Sequence, residues 1–220
     1  MREAYRDELD AVSERLVAMA QATGDAMAHA SEALLATDIS LAERVISADR
    51  TVDDLRDDLD DRVVDLLARQ QPVATELRIV VTALRMADDI ERMGDLALHV
   101  AKLTRLRYPQ PVVPDSMRIE FAQMGTIARR LSSRLVTIIA DHDPDGAVEL
   151  DRDDDEMDAL HRRHFLTLAA PTWPHGVEAA IDVTLASRYY ERYADHAVKT
   201  ARRVYYLVTG SRPSPSGSLR

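Results

Sequence analysis

The chain has 220 residues, 38 acidic against 28 basic side chains, a formal net charge of −10, 46% hydrophobic residues and no cysteine. The acidic balance argues against a binder of nucleic-acid phosphates, and without cysteine there are neither disulfides nor thiolate ligands, so any metal must be held by carboxylate and imidazole. No apolar run approaches the length that spans a bilayer, and Met1-Arg2-Glu3-Ala4-Tyr5 lacks a signal-peptide core, so a cytoplasmic address without membrane insertion is expected.

Leu9, Val12, Leu16 and Met19 step by three and four, which predicts a helix to about Ala36. Thr37-Asp38-Ile39-Ser40 is a break with capping residues, and a second helix carries Val45, Ala48, Val52, Leu55, Leu59, Val63 and Leu66 on one stripe. Gln70-Gln71-Pro72 ends it, and a third helix runs to about Leu106. Arg107-Tyr108-Pro109-Gln110-Pro111-Val112-Val113-Pro114 reads as an extended linker. Beyond it Asp115-Ser116 opens a helix with Met117, Phe121, Met124, Ala128, Leu131, Leu135 and Ile138 on its apolar face. His142 to Gly146 turns the chain into a helix reaching about Ala169, and Pro171 to Gly176 turns it into a last helix ending near Gly210. Ser211 to Arg220 is rich in proline and serine and is expected to be disordered. No segment shows the alternation of a strand, so the fold class is all-α.

The plan occurs twice. At an offset of 105 residues, Leu16–Leu55 falls on Phe121–Leu160, matching Met19 with Met124, Asp38 with Asp143, Ala42 with Ala147, Asp49 with Asp154, Asp53 with Asp158 and Leu55 with Leu160. At an offset of 100, Ile90-Glu91-Arg92-Met93-Gly94-Asp95-Leu96-Ala97 falls on Tyr190-Glu191-Arg192-Tyr193-Ala194-Asp195-His196-Ala197. Six long helices in two tandem three-helix bundles follow, with units at 1–106 and 115–210, a linker at 107–114 and a tail at 211–220.

Each unit carries two acidic pairs at helical i,i+4 spacing: Asp49/Asp53 and Glu91/Asp95 in the first, Asp154/Asp158 and Glu191/Asp195 in the second. Antiparallel helices rise equally on both sides of a turn. The midpoint between the pairs falls on Pro72 in the first unit and within Pro171–Gly176 in the second, so each Asp pair should lie level with its Glu/Asp partner. Taken alone, Asp49/Asp53 reads as ordinary surface charge. Glu91 and Asp95, however, fall in register with the apolar row Leu77, Val80, Leu84, Ala87 and Leu98, where a carboxylate is costly unless paired or bound to a cation. Arg92 offers the plain alternative of a salt bridge, and Arg85 and Arg192 are further candidates to neutralise carboxylates. His99 and His161 stand where supplementary ligands could, although capping or surface roles explain both. His196 reads as a group behind the ligands or at the surface, and Trp173 as a packing plug.

The stretches Gln71-Pro72-Val73-Ala74-Thr75-Glu76-Leu77-Arg78, Asp89 to Asp95 and Glu191 to Ala197 resemble the PhoU family, and the resemblance extends from about Arg6 to Gly210. It implies a regulator rather than an enzyme, coupling a phosphate ABC transporter and its ATPase to a membrane sensor histidine kinase and restraining the phosphate-starvation response. It also implies metal on the acidic motifs, iron or zinc in some members, while oxygen donors suit magnesium or manganese as well. A homodimer is a further expectation. Ala194 replaces the usual glycine, and the turn before that motif, Trp173-Pro174-His175-Gly176-Val177-Glu178, lacks an arginine matching Arg78, so the first site is expected to be the stronger. The competing reading is a carboxylate-bridged di-metal oxidase or metal-storage bundle. That chemistry needs Glu-x-x-His on facing helices, and the sequence offers only Asp158-x-x-His161. A metal-free helical adaptor with an acidic recognition face is the third.

Overall fold

The computed structural model describes residues 2–211, with side chains from residue 7 onward. The expected disorder of the tail therefore falls almost wholly outside the described residues. Among the described residues seven α-helices follow one another: α1 (Arg2–Ala36), α2 (Ile39–Ala48), α3 (Arg50–Gln70), α4 (Thr75–Arg107), α5 (Arg118–Asp141), α6 (Pro144–Ala169) and α7 (Gly176–Thr209). No strand occurs among the described residues, and no helix there is long and apolar enough to cross a membrane.

The chain enters α2 and α6 through the same device. Asp38 accepts a hydrogen bond from Leu41 N at 3.0 Å, and Asp143 accepts from Asp145 N and Gly146 N, each at 3.0 Å. Both aspartates satisfy amides that the first helical turn leaves unpaired. Pro144 at the first position of α6 gives up no helical hydrogen bond. Gln71 and His142 end α3 and α5 in the left-handed conformation. Asp115–Met117 forms a short 3₁₀ turn rather than the opening of α5 itself.

One expectation needs correction here. The second helix of the first repeat is not continuous but breaks at Asp49, where the carbonyl accepts from Val52 N at 3.0 Å in a tight i→i+3 turn. The equivalent α6 runs through Asp154 unbroken, whereas Asp49 interrupts the helix for one residue while keeping right-handed helical dihedrals, φ −52° and ψ −41°.

The two repeats are joined by more than the Tyr108–Pro114 connector. Helices α1, α4, α7 and α5 form a central ring in which α1 packs on α5 and α4 on α7 across the repeats; α2 and α3 lean on α1 and α4 from one side, and α6 on α5 and α7 from the other. A single continuous core results, from Leu16, Met19 and Met27 through Val80, Met86, Ile90 and Met93 to Phe121, Met124, Tyr190 and Tyr193. The α1–α5 crossing is reciprocal: a Cβ on Gly24 would lie 3.0 Å from that of Ser132, and a Cβ on Gly125 3.2 Å from that of Ser31. Glycine on each helix thus admits the other's serine. Tyr190 donates to Ser31 Oγ at 2.8 Å, and the Tyr193 hydroxyl lies 2.7 Å from Ser132 Oγ, so both buried phenols of α7 are satisfied at that crossing.

The antiparallel α4–α7 contact is held by buried charge. Asp89, 8% exposed, receives His196 Nδ1 at 3.0 Å and Arg203 Nε at 2.7 Å. Near the other end of the contact Arg107 grips Asp182, with Nη2–Oδ1 at 2.9 Å, and pairs with Glu178. His196 therefore belongs to this inter-repeat network and not to the acidic motif beside it. Trp173 closes the α6–α7 turn by donating to the Gly176 carbonyl at 2.7 Å.

Candidate metal centre

The helical hairpins α3–α4 and α6–α7 set the register that the acidic pairs need. On the first, Arg56 bonds Asp88 at 2.9 Å. Arg56 lies one turn beyond Asp53 and Asp88 one turn before Glu91, so Asp53 comes level with Glu91 and Asp49 with Asp95. On the second, His161 Nδ1 lies 2.7 Å from Ser187 Oγ. His161 is one turn beyond Asp158 and Ser187 one turn before Glu191, which brings Asp158 level with Glu191 and Asp154 with Asp195.

The electrostatics follow this pairing. Burial raises the Asp49 carboxyl above its ordinary range, and the charges of Asp53 and Asp95 add to the rise. Glu91 is raised by burial and by Asp95, with Arg92 and Arg56 opposing. In the second repeat Glu191 is raised by burial, then by Asp195 and Asp158, against Arg188. Asp154 moves furthest, to about 7, through burial and the charges of Asp158, Asp195 and Glu191. All eight predicted carboxylates thus fall into two mutually repelling quartets, one per repeat.

The quartets are not alike in burial. Glu91 and Asp95 are only half-buried. The core row of α4 is Val80, Ala87, Ile90, Met93 and Ala97, whereas Leu77 is 40% exposed, so the acidic pair flanks the packing stripe instead of lying in it. In the second repeat Glu191 is 9% exposed. Two buried carboxylate oxygens there, Asp154 Oδ1 and Glu191 Oε2, have no hydrogen-bond partner.

Arginines occupy part of the space a cation would take. Arg92 pairs with Asp95 at 3.0 Å, and Arg188 pairs with Glu191. In this arrangement no three His, Asp or Glu side chains among the described residues converge as ligands of one ion. The donor chemistry nevertheless fits a cation: orphaned carboxylate oxygens and raised carboxyl groups are what a positive charge relieves. The side chains would have to turn toward a shared point to bind one. His99 is exposed, and its Nδ1 sits on the Asp95 carbonyl at 2.6 Å, a bond to its own helix.

A second polar cluster, which no motif announces, lies beside the second quartet. His164 Nδ1 lies 2.9 Å from Ser187 Oγ, and its Nε2 lies 3.1 Å from Glu120 Oε2. Carboxylate, imidazole and hydroxyl stand in the order of a hydrolase triad, but Ser187 and His164 are 0% and 1% exposed. The serine oxygen also faces two imidazoles at once. This is an internal network locking α6 to α7 and α5, and burial holds both imidazoles below their ordinary pKa, hence neutral at neutral pH.

The family model for the PhoU domain matches twice, over residues 16–104 and 121–204. The phosphate-specific transport system accessory protein PhoU homolog 2 of Mycobacterium tuberculosis is 47% identical over 213 residues, covering 97% of this chain and 100% of that protein. Homolog 1 of Mycobacterium leprae is 45% identical, covering 97% and 96%. The crystal structure of PhoU from Pseudomonas aeruginosa superposes with a TM-score of 0.84 at 26% identity, over 94% of this chain and 100% of that one.

Proposed function

This chain belongs to the PhoU family, and from that premise we propose that it is an accessory regulator of phosphate uptake that couples a phosphate ABC transporter, through its ATPase, to a membrane sensor histidine kinase. In this reading it restrains the phosphate-starvation response while phosphate is plentiful. The observation that carries the proposal is whole-length similarity to proteins named as accessories of a phosphate-specific transport system. Residues 1–106 and 115–210 are taken as its two units and 107–114 as the connector, with a homodimer as the working assembly.

The acidic quartets supply the ligand chemistry of the proposal. Asp49, Asp53, Glu91 and Asp95 would hold one cation, and Asp154, Asp158, Glu191 and Asp195 another. Iron and zinc are favoured candidates, and magnesium and manganese are compatible with the oxygen donors. A bound ion would neutralise the repulsion within each quartet and fix the α3–α4 and α6–α7 hairpins at a defined spacing.

Deleting the gene should switch on phosphate-scavenging genes in phosphate-rich medium, measured by a phosphatase reporter with any second copy of the gene also removed. Re-expression of the chain should restore repression. A deletion strain that still responds normally to phosphate would overturn the proposal. Metal-dependent oxidase activity in the purified protein would instead favour the di-metal oxidase reading.

A further inference from the structure

The ring of α1, α4, α5 and α7 has two ends, related by the duplication but finished differently. At one end α4 stops at Arg107 and α5 starts at Arg118, and the connector between them buries Val112 and Val113 in the common core, 3% and 2% exposed. At the other end α7 stops beside the start of α4, with the Arg78 guanidinium 5.6 Å over the Tyr206 ring. The offsets that relate the repeats place Asp7 and Glu8, or Arg212 and Pro213, where those valines stand. Neither pair supplies two branched aliphatic side chains.

A cavity of about 270 Å³ lies at this second end, lined by Leu9 and Leu16 of α1, Met86 of α4, Ile139 of α5, and Val204 and Leu207 of α7. All four ring helices thus contribute apolar wall to it, and its volume approaches the roughly 300 Å³ of the smallest ligand pockets. Two orphaned polar atoms flank it. Glu8 Oε2 and Arg78 Nε are buried and have no hydrogen-bond partner among the described residues. Glu8 stands one turn before Val12 on the face of α1 that lines the cavity, and Arg78 immediately precedes the lining residue Ile79. One atom accepts and the other donates. An alkyl ligand would fill the space and leave both unmet, which is costly. An extended peptide brings aliphatic side chains together with backbone N–H and C=O groups.

We propose that this end of the ring is a docking site for an extended partner segment carrying two adjacent branched aliphatic residues next to proline, the kind of segment that the connector supplies at the opposite end. Proline holds such a segment extended before it binds, which lowers the cost of ordering it. A partner docked here touches both repeats at once. The proposal goes beyond the regulatory and cation readings above and rests on neither.

The probe is a fluorescent synthetic peptide of the connector sequence, Arg107 to Asp115, titrated into the untagged full chain and followed by anisotropy. It should bind saturably at one copy per chain, and replacing both of its valines with serine should weaken it at least about tenfold. Ala83→Leu, which fills the cavity from α4, should abolish binding while helix content and the urea unfolding midpoint stay at or above the parent's. Photo-crosslinking decides the location even if that variant misfolds: a diazirine analogue at the second valine of the peptide should mark residues 9–16 or 204–208 of the parent protein. Leu219 is the one aliphatic residue after α7, and Leu219→Ser should bind the peptide as the parent does. No saturable binding at millimolar peptide, equal binding of the serine peptide, or crosslinks confined to other surfaces overturns the proposal. Tighter binding by Leu219→Ser would make the chain's own tail the occupant and overturn it too.

Discussion

Free of metal at about pH 8, the Asp154→Asn protein should be more stable than the parent by about 2 kcal/mol. The Asp154 carboxyl stands at about 7 in the folded protein against an ordinary 3.8. The full shift would correspond to about 4 kcal/mol, reduced here because part of the group still reaches solvent. A raised carboxyl penalises the folded state wherever the unfolded chain is already ionised. The penalty is therefore absent below the ordinary value, grows as pH rises toward about 7, and is constant above it. Asparagine keeps the shape and removes the charge, so the gain should appear over that window and then level off. Urea unfolding at a series of pH values measures it. Excess metal should reverse the order, because the parent gains ligand stabilisation that the variant cannot. A variant no more stable than the parent at alkaline pH would show that the second quartet carries no unrelieved repulsion.

Asp89→Ala should produce the largest loss, about 3 kcal/mol at neutral pH. Removing this carboxylate leaves His196 and Arg203 facing an empty space in the α4–α7 contact, where Asp89 is 8% exposed. Burial alone would push the Asp89 carboxyl up, but hydrogen bonds from His196 and Arg203 outweigh it and hold the group below its ordinary value. Its contribution to stability is thus present above the unfolded carboxylate pKa of about 3.9 and lost as pH falls through the folded value. The difference between parent and variant should therefore shrink below about pH 4. Equal unfolding midpoints at neutral pH would remove Asp89 from any structural role.

Local features of the sequence were sufficient for the helices because their signals are local. Asp38 and Asp143 cap helices in the structure as they stand before apolar-periodic segments in the sequence. The matched offsets likewise lead to two copies of one plan. The break at Asp49 was hidden, since Val45, Val52 and Leu59 keep one stripe across it and all three are buried. The row from Leu77 to Leu98 misplaced Glu91 and Asp95 because helical spacing allows a neighbouring row, Val80 to Ala97, to serve as the core. The Asp89–His196–Arg203 network joins groups more than a hundred positions apart, and nothing near Asp89 announces its partners. The reciprocal pairs Gly24–Ser132 and Gly125–Ser31 were the available clue to cross-repeat packing, small residues placed antiparallel on the two helices. Burial of the second quartet also depends on such packing, which no spacing within a single helix announces.

The deeper quartet gives the most direct measurement. A strain whose chromosomal copy carries Asp154→Asn, Asp158→Asn, Glu191→Gln and Asp195→Asn together should express the phosphatase reporter in phosphate-rich medium, although the variant protein accumulates and unfolds as cooperatively as the parent. Regulation through a cation-bearing acidic cluster predicts that loss of repression. Repression equal to the parent strain's, with the variant present at normal abundance, would contradict it.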